Sequence, residues 1–125
     1  MSVTAELPFS KLRHAAGLVF LSGELPLAPD GSIPAGIGAQ TELTLNRIAA
    51  TLSSAGLGLA DIVQATIYLT HPDDFAEFNA AYRNHFQPPY PVRTTLVAPL
   101  VVPTARIEIT VVAGASQANM GQAAR

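Results

Sequence analysis

Between Pro88 and Val112 the chain reads P-P-Y-P-V-R-T-T-L-V-A-P-L-V-V-P-T-A-R-I-E-I-T-V-V, and this stretch constrains the fold more than any other. It holds two runs with strand character, Val92–Val97 and Arg106–Val112, joined by a proline-rich turn. Side chains alternate across a strand. Arg93, Thr95 and Val97 therefore face one way, and Thr94, Leu96 and Ala98 the other. In the second run Ile107, Ile109 and Val111 form an apolar face opposite Arg106, Glu108 and Thr110. A cation, Arg93, and a carboxylate, Glu108, thus stand in strands that are otherwise apolar. Burying a charge without a partner is costly, so each needs a reason to be there.

The 125 residues suit one domain. Charged residues make up only 13% of them, and hydrophobic residues 49%, where a typical chain has about 25% charged. A small monomer has much surface to keep wet, so the deficit points to apolar surface covered by further copies of the chain, in a closed homo-oligomer such as a dimer or trimer. The net charge of −2 and the lack of a basic run argue against nucleic acid as a partner. With no cysteine, disulfides, a thiolate nucleophile and a cysteine metal site are excluded. The opening M-S-V-T-A-E-L-P-F-S lacks the pattern of a signal peptide, and no apolar run approaches a membrane span. The expected location is cytoplasmic, with no membrane partner.

Taken in order, residues 1–8 read as an arm or short edge strand. Lys11–Ala15 and Leu18–Ser22 read as a hairpin around Ala16-Gly17. The apolar run Leu18–Leu21 suits a strand covered on both faces. A glycine at its end, Gly23, suits close approach by a ligand or another backbone. Leu25–Pro34 is a loop by its proline and Asp30-Gly31 content. Leu45, Ile48, Ala49 and Leu52 set one stripe of a helix over about Gly38–Ala55, stopped near Gly56. Ile62–Leu69 follows as a strand, with Val63, Ala65, Ile67 and Leu69 on one face. Pro72-Asp73-Asp74 starts a second helix, with Phe75, Phe78, Asn79 and Tyr82 on one stripe, running to about Phe86. The order β-β-α-β-α-β-β, with hairpins at both ends, predicts an α+β fold: a mixed sheet with both helices on one face. One domain covers 1–113, and 114–125 is a flexible C-terminal tail.

Four segments in this order, S-G-E-L-P (22–26), D-D-F-A-E-F-N-A-A-Y (73–82), P-V-R (91–93) and R-I-E-I (106–109), resemble the landmarks of the RidA/YjgF family of reactive-intermediate (enamine/imine) deaminases. The resemblance spans roughly Pro8 to Ala113. It implies a chorismate-mutase-like fold and a homotrimer with clefts at the subunit interfaces. It also implies that Arg93 grips a substrate carboxylate and that Glu108 serves the hydrolytic water. Ser22 and Gly23 would line the cleft, with Asn79 near it. The chain departs from the pattern at Phe9, where many relatives have tyrosine, at Thr95, where many have cysteine, and at Glu24, where S-G-Q is usual.

The residues themselves leave several uses open. Arg93 suits a bidentate carboxylate clamp or a structural ion pair with Glu108 or another acid. Glu108 suits acid–base work on water and a leaving amine, or the same pair. Ser22 suits a substrate contact or a turn, and Gly23 a backbone donor or a strand end. Thr95 shares Arg93's face and suits a contact with substrate or water, or plain strand formation. Asn79 suits the pocket or a hydrogen bond that pins its helix, and Phe9 an apolar wall. His14, His71 and His85 have no metal-binding spacing, and no phosphate-binding glycine motif occurs. No metal and no organic cofactor is therefore expected. The chemistry expected is hydrolysis of a 2-enamino or 2-imino acid to a 2-keto acid and ammonia, with capture of small carboxylates without turnover as the alternative. Arg93 and Glu108 are expected at the two ends of one small cleft completed by a second chain.

Overall fold

The computed structural model describes residues 6–114. The chain forms β1 (Leu12–Ala15), β2 (Leu18–Leu21), α1 (Ile37–Ser53), β3 (Ile62–Leu69), α2 (Phe75–Arg83), β4 (Val92–Val97) and β5 (Ile107–Gly114). The sheet has five strands in the order β1-β2-β5-β3-β4. Only the β3–β4 pair is parallel, so the expected mixed sheet and α+β class hold. The first hairpin holds too: Ala16 and Gly17 both have positive φ, 54° and 77°, the turn that matches the twist of flanking strands.

The hairpin expected at the C-terminal end is not there. β3 lies between β4 and β5, parallel to the first and antiparallel to the second. The proline-rich connection is therefore a crossover past β3. It is tied at its ends by Ala98 N–H to Leu69 O (2.9 Å) and Thr70 N–H to Arg106 O (3.1 Å). Proline cannot donate to a ladder, so the segment leaves one strand position and reaches another as a loop. β5 starts one residue later than its sequence pattern and runs through Gly114, which pairs with Leu18. The rest of the expected tail lies outside the described residues, as does most of the N-terminal arm.

One face of the sheet is buried by both helices. Val19 and Leu21, Ala65, Ile67 and Leu69, and Ile107, Ile109, Val111 and Ala113 meet Leu45, Ile48 and Leu52 of α1 and Phe78 and Tyr82 of α2. The opposite face carries Phe20, Thr66, Tyr68, Thr94, Leu96, Glu108, Thr110 and Val112, exposed or half-buried. Phe20 is 42% exposed, so β2 is covered on one face only within a chain. β3 holds a further surprise: a bulge between Ile62 and Gln64 puts Ile62 in the core and leaves Val63 49% exposed. The extra residue of a bulge shifts the alternation by one, which a strict period of two could not anticipate. α2 is also shorter than its pattern, ending at Arg83 and preceded by a 3-10 turn at Pro72–Asp74. Asp74 is buried there and bonds to the Arg106 guanidinium, Nε to Oδ2 at 3.0 Å. Among the described residues, no helix is long and apolar enough to cross a membrane.

Gln40, fully inside α1's apolar stripe, anchors the start of β5. Its amide donates to Pro34 O (2.9 Å) and Thr104 O (3.3 Å) and its carbonyl accepts from Arg106 N–H (2.7 Å). Gln40→Leu keeps the volume but leaves these groups unpaired. The expected cost is about 2–3 kcal/mol of unfolding free energy, measured by urea titration.

Candidate active site

The site residues fall into two groups on opposite faces of the sheet. Arg93 pairs with Ala65 and Thr95 with Ile67, and directly opposed residues share a face. Both therefore lie on the helix side. Arg93 sits at the edge strand, where its guanidinium reaches over the aromatic stripe of α2. Its guanidinium carbon is 5.8 Å from the Phe75 ring centre, 5.2 Å from Phe78 and 4.9 Å from Tyr82. Cations are attracted to ring faces at such distances, and stacking leaves the in-plane N–H groups unused. Among the described residues no carboxylate is ion-paired with Arg93, so within one chain it forms no structural pair with Glu108. Arg93 instead lines a pocket of 360 Å³ with Asn79, Tyr82, Arg83, Tyr90 and Pro91. Thr95 lines a separate apolar concavity with Leu69, Pro72, Phe75, Leu96 and Val97.

The second group lies on the open face. Glu108 opposes Tyr68, away from the helices. A backbone bridge brings the S-G-E segment beside it: Glu24 N–H donates to Ile109 O (2.8 Å) and Ile109 N–H to Glu24 O (3.1 Å). Glu108 folds over Gly23 so closely that a Cβ there would stand 2.1 Å from its Oε2, so any larger residue at 23 would push the Glu108 carboxylate aside. Ser22 Oγ donates to Ser10 O at 2.6 Å, which leaves its lone pairs for a ligand. Ser22 and Phe9 line one concavity with Pro8, Ser10, Arg13 and Phe20; Phe9 is exposed at its rim. Within one chain, then, Arg93, Asn79 and Thr95 belong to the helix side, and Glu108, Gly23 and Ser22 to the open side.

Burial pushes the Glu108 carboxyl above the usual carboxylate range, and the nearby Glu24 charge adds to the effect. Glu24 is 4% exposed and held by Arg47 Nε (2.8 Å) and Lys11 Nζ (3.0 Å). Position 24 thus carries a carboxylate gripped from two sides, by Arg47 of α1 and by Lys11 just before β1. Sequence reasoning marked Glu24 only as a departure and missed Lys11 and Arg47, whose separations have no periodic signature. Tyr82 appeared there as a stripe residue, when it is also pocket wall. Of the histidines, His85 lies with its Nε2 3.2 Å from Glu42 Oε1.

Residues 1–115 match the family model described as Endoribonuclease L-PSP. The chain is 36% identical over 109 residues to the mitochondrial protein mmf2 of Schizosaccharomyces pombe, covering 85% of this chain and 86% of the relative. It is 34% identical over 110 residues to the provisionally named reactive intermediate deaminase TdcF of Escherichia coli, covering 85% of each. The crystal structure of E. coli TdcF with bound serine superposes with a TM-score of 0.81 at 32% identity, over 90% of this chain and 91% of that one. RidA from an Antarctic Psychrobacter superposes with a TM-score of 0.82 at 26% identity, over 90% and 92%.

A carboxyl with a raised pKa takes up a proton on folding between its ordinary value, 4.5, and the raised one, so its presence costs stability as pH rises through that window. Glu108→Gln removes the cost. Measured by chemical unfolding, the variant is expected to gain on wild type as pH rises from about 4.5 through the raised value; a gap that stays constant or shrinks contradicts the raised value.

Proposed function

This chain belongs to the RidA/YjgF family, and on that premise we propose that it is a hydrolytic deaminase of reactive 2-enamino and 2-imino acids. The observation that carries the reading is Arg93: a guanidinium set 4.9–5.8 Å from three aromatic ring centres, free of any carboxylate among the described residues, at the wall of an open pocket. A planar fork held in this way suits a carboxylate bidentately. TdcF's structure with bound serine, an amino acid, supports a small carboxylate as ligand.

Since Arg93 and Glu108 leave opposite faces of one chain, the cleft is built from two copies. One supplies Arg93, Asn79 and Thr95; the next supplies Glu108, Ser22, Gly23 and Phe9 from its open face. A cyclic homotrimer closes such a heterologous contact, and the uncovered apolar side chains Phe20, Leu96 and Val112 on the open face support burial there.

The chemistry needs no electron sink, because an imine carbon is already electrophilic. The enamine tautomerises to the imine. Water, relieved of a proton by Glu108, attacks the imine carbon, and the nitrogen takes up a proton. The resulting carbinolamine collapses with loss of ammonia, leaving the 2-keto acid. A carboxyl with a raised pKa is suited to both steps, taking a proton from water and returning one to the amine. Ser22, whose own proton is committed to Ser10, accepts from water or amine. Positioning and electrostatics supply the acceleration.

An imine generated in situ by an amino-acid oxidase is expected to disappear faster with wild type. Arg93→Ala and Glu108→Gln should each lower that effect by about a hundred-fold. No acceleration by wild type, or none lost in Arg93→Ala, defeats the reading. Ligand uptake untouched by Glu108→Gln in a chain without turnover would identify a binding protein instead. Mixed and reassembled, the two variants are expected to recover about a quarter of wild-type sites, since a heterologous ring places an intact Arg93 against an intact Glu108 in that share of interfaces. A cleft contained in one chain recovers nothing.

A further inference from the structure

The Tyr82 hydroxyl is a buried side-chain polar atom left with no hydrogen-bond partner, which no other side chain among the described residues shows. Tyr82 is 6% exposed, and its ring is fixed between Phe78 (5.4 Å) and Phe86 (4.5 Å, stacked). Phe75, Phe78 and Phe86 show that the stripe needs only rings, and phenylalanine at 82 would avoid burying an unpaired polar group. The hydroxyl therefore calls for a partner that arrives from outside the chain's own fold.

The place to look is the pocket that Tyr82 shares with Arg93. Tyr82 has the nearest of the three rings under the guanidinium. Arg83 lines the same pocket, so an anion matches its charge. Burial raises the phenol's pKa while Arg93 opposes the rise, so the group stays protonated and is a donor. A carboxylate has about four acceptor positions, and a bidentate guanidinium uses two of them.

We propose that Tyr82 is a second anchor of the substrate anion, its hydroxyl donating to the carboxylate that Arg93 grips. This rests on the reading of Arg93 as a carboxylate clamp and adds a specificity to it. Three donors converging on one group select a free carboxylate over an amide, whose own N–H groups would face them unpaired.

The test is calorimetric titration of the whole protein with pyruvate, a simple 2-keto acid, using wild type, Tyr82→Phe and Arg93→Ala, with melting temperature and assembly size measured in parallel. Tyr82→Phe is expected to bind at least about ten-fold more weakly, to melt no lower than wild type, and to assemble as wild type does. Wild-type affinity in Tyr82→Phe together with weak binding in Arg93→Ala overturns the second anchor and leaves the first standing. Wild-type affinity in Arg93→Ala, or no uptake by wild type, overturns both. A Tyr82→Phe protein that melts markedly lower or changes assembly size shows the hydroxyl to be structural and overturns the proposal.

Discussion

Two helices can cover only one face of a five-stranded sheet. The apolar residues of β2, β3 and β5 pack against Leu45, Ile48, Leu52, Phe78 and Tyr82, so every alternate residue is committed to the opposite, uncovered side. The chemistry inherits that division. Arg93 belongs to the helix side because β4 pairs in register with the buried face of β3, and Glu108 belongs to the open side because its neighbours Ile107 and Ile109 are wholly buried. The alternation that makes a core thus separates the two charged groups within one chain.

Each group is then held by a different kind of force. Arg93 rests on aromatic faces, which orient it and leave its donors open. Glu108 is positioned by backbone geometry, through the Glu24–Ile109 bridge and the missing Cβ of Gly23. Glu24 has its backbone in that bridge and its side chain on Arg47 and Lys11. It therefore links the helix layer to the carboxylate on the far face.

Much of this was legible in the sequence where it depends on neighbours along the chain. Alternation placed Arg93 with Thr95 and set Glu108 against Ile107 and Ile109; the i, i+3, i+7 stripe of α2 found Phe75, Phe78 and Tyr82; Ala16-Gly17 marked the hairpin. What depends on register between distant segments was not legible. Nothing local says that β3 separates β4 from β5, and a hairpin was the simpler expectation for two strands joined by a turn. The bulge that exchanges Ile62 and Val63 is likewise a property of the β3–β5 pair. The Lys11–Glu24–Arg47 cluster joins residues that only the fold brings together. The family resemblance named Arg93 and Glu108 together, but it did not say which face each would take.

The wall of the Arg93 pocket is also the surface of the core. Phe78 and Tyr82 pack against the sheet with their buried sides and carry the guanidinium on the others. Such residues answer to two selections at once, and a change that reshapes the pocket from beneath would also loosen α2 on the sheet. Divergence among descendants of this chain has freer play at the rim, where Tyr90 and Arg83 are exposed and carry no core packing. The floor of the pocket is thus bound to the stability of the fold, and its mouth is not.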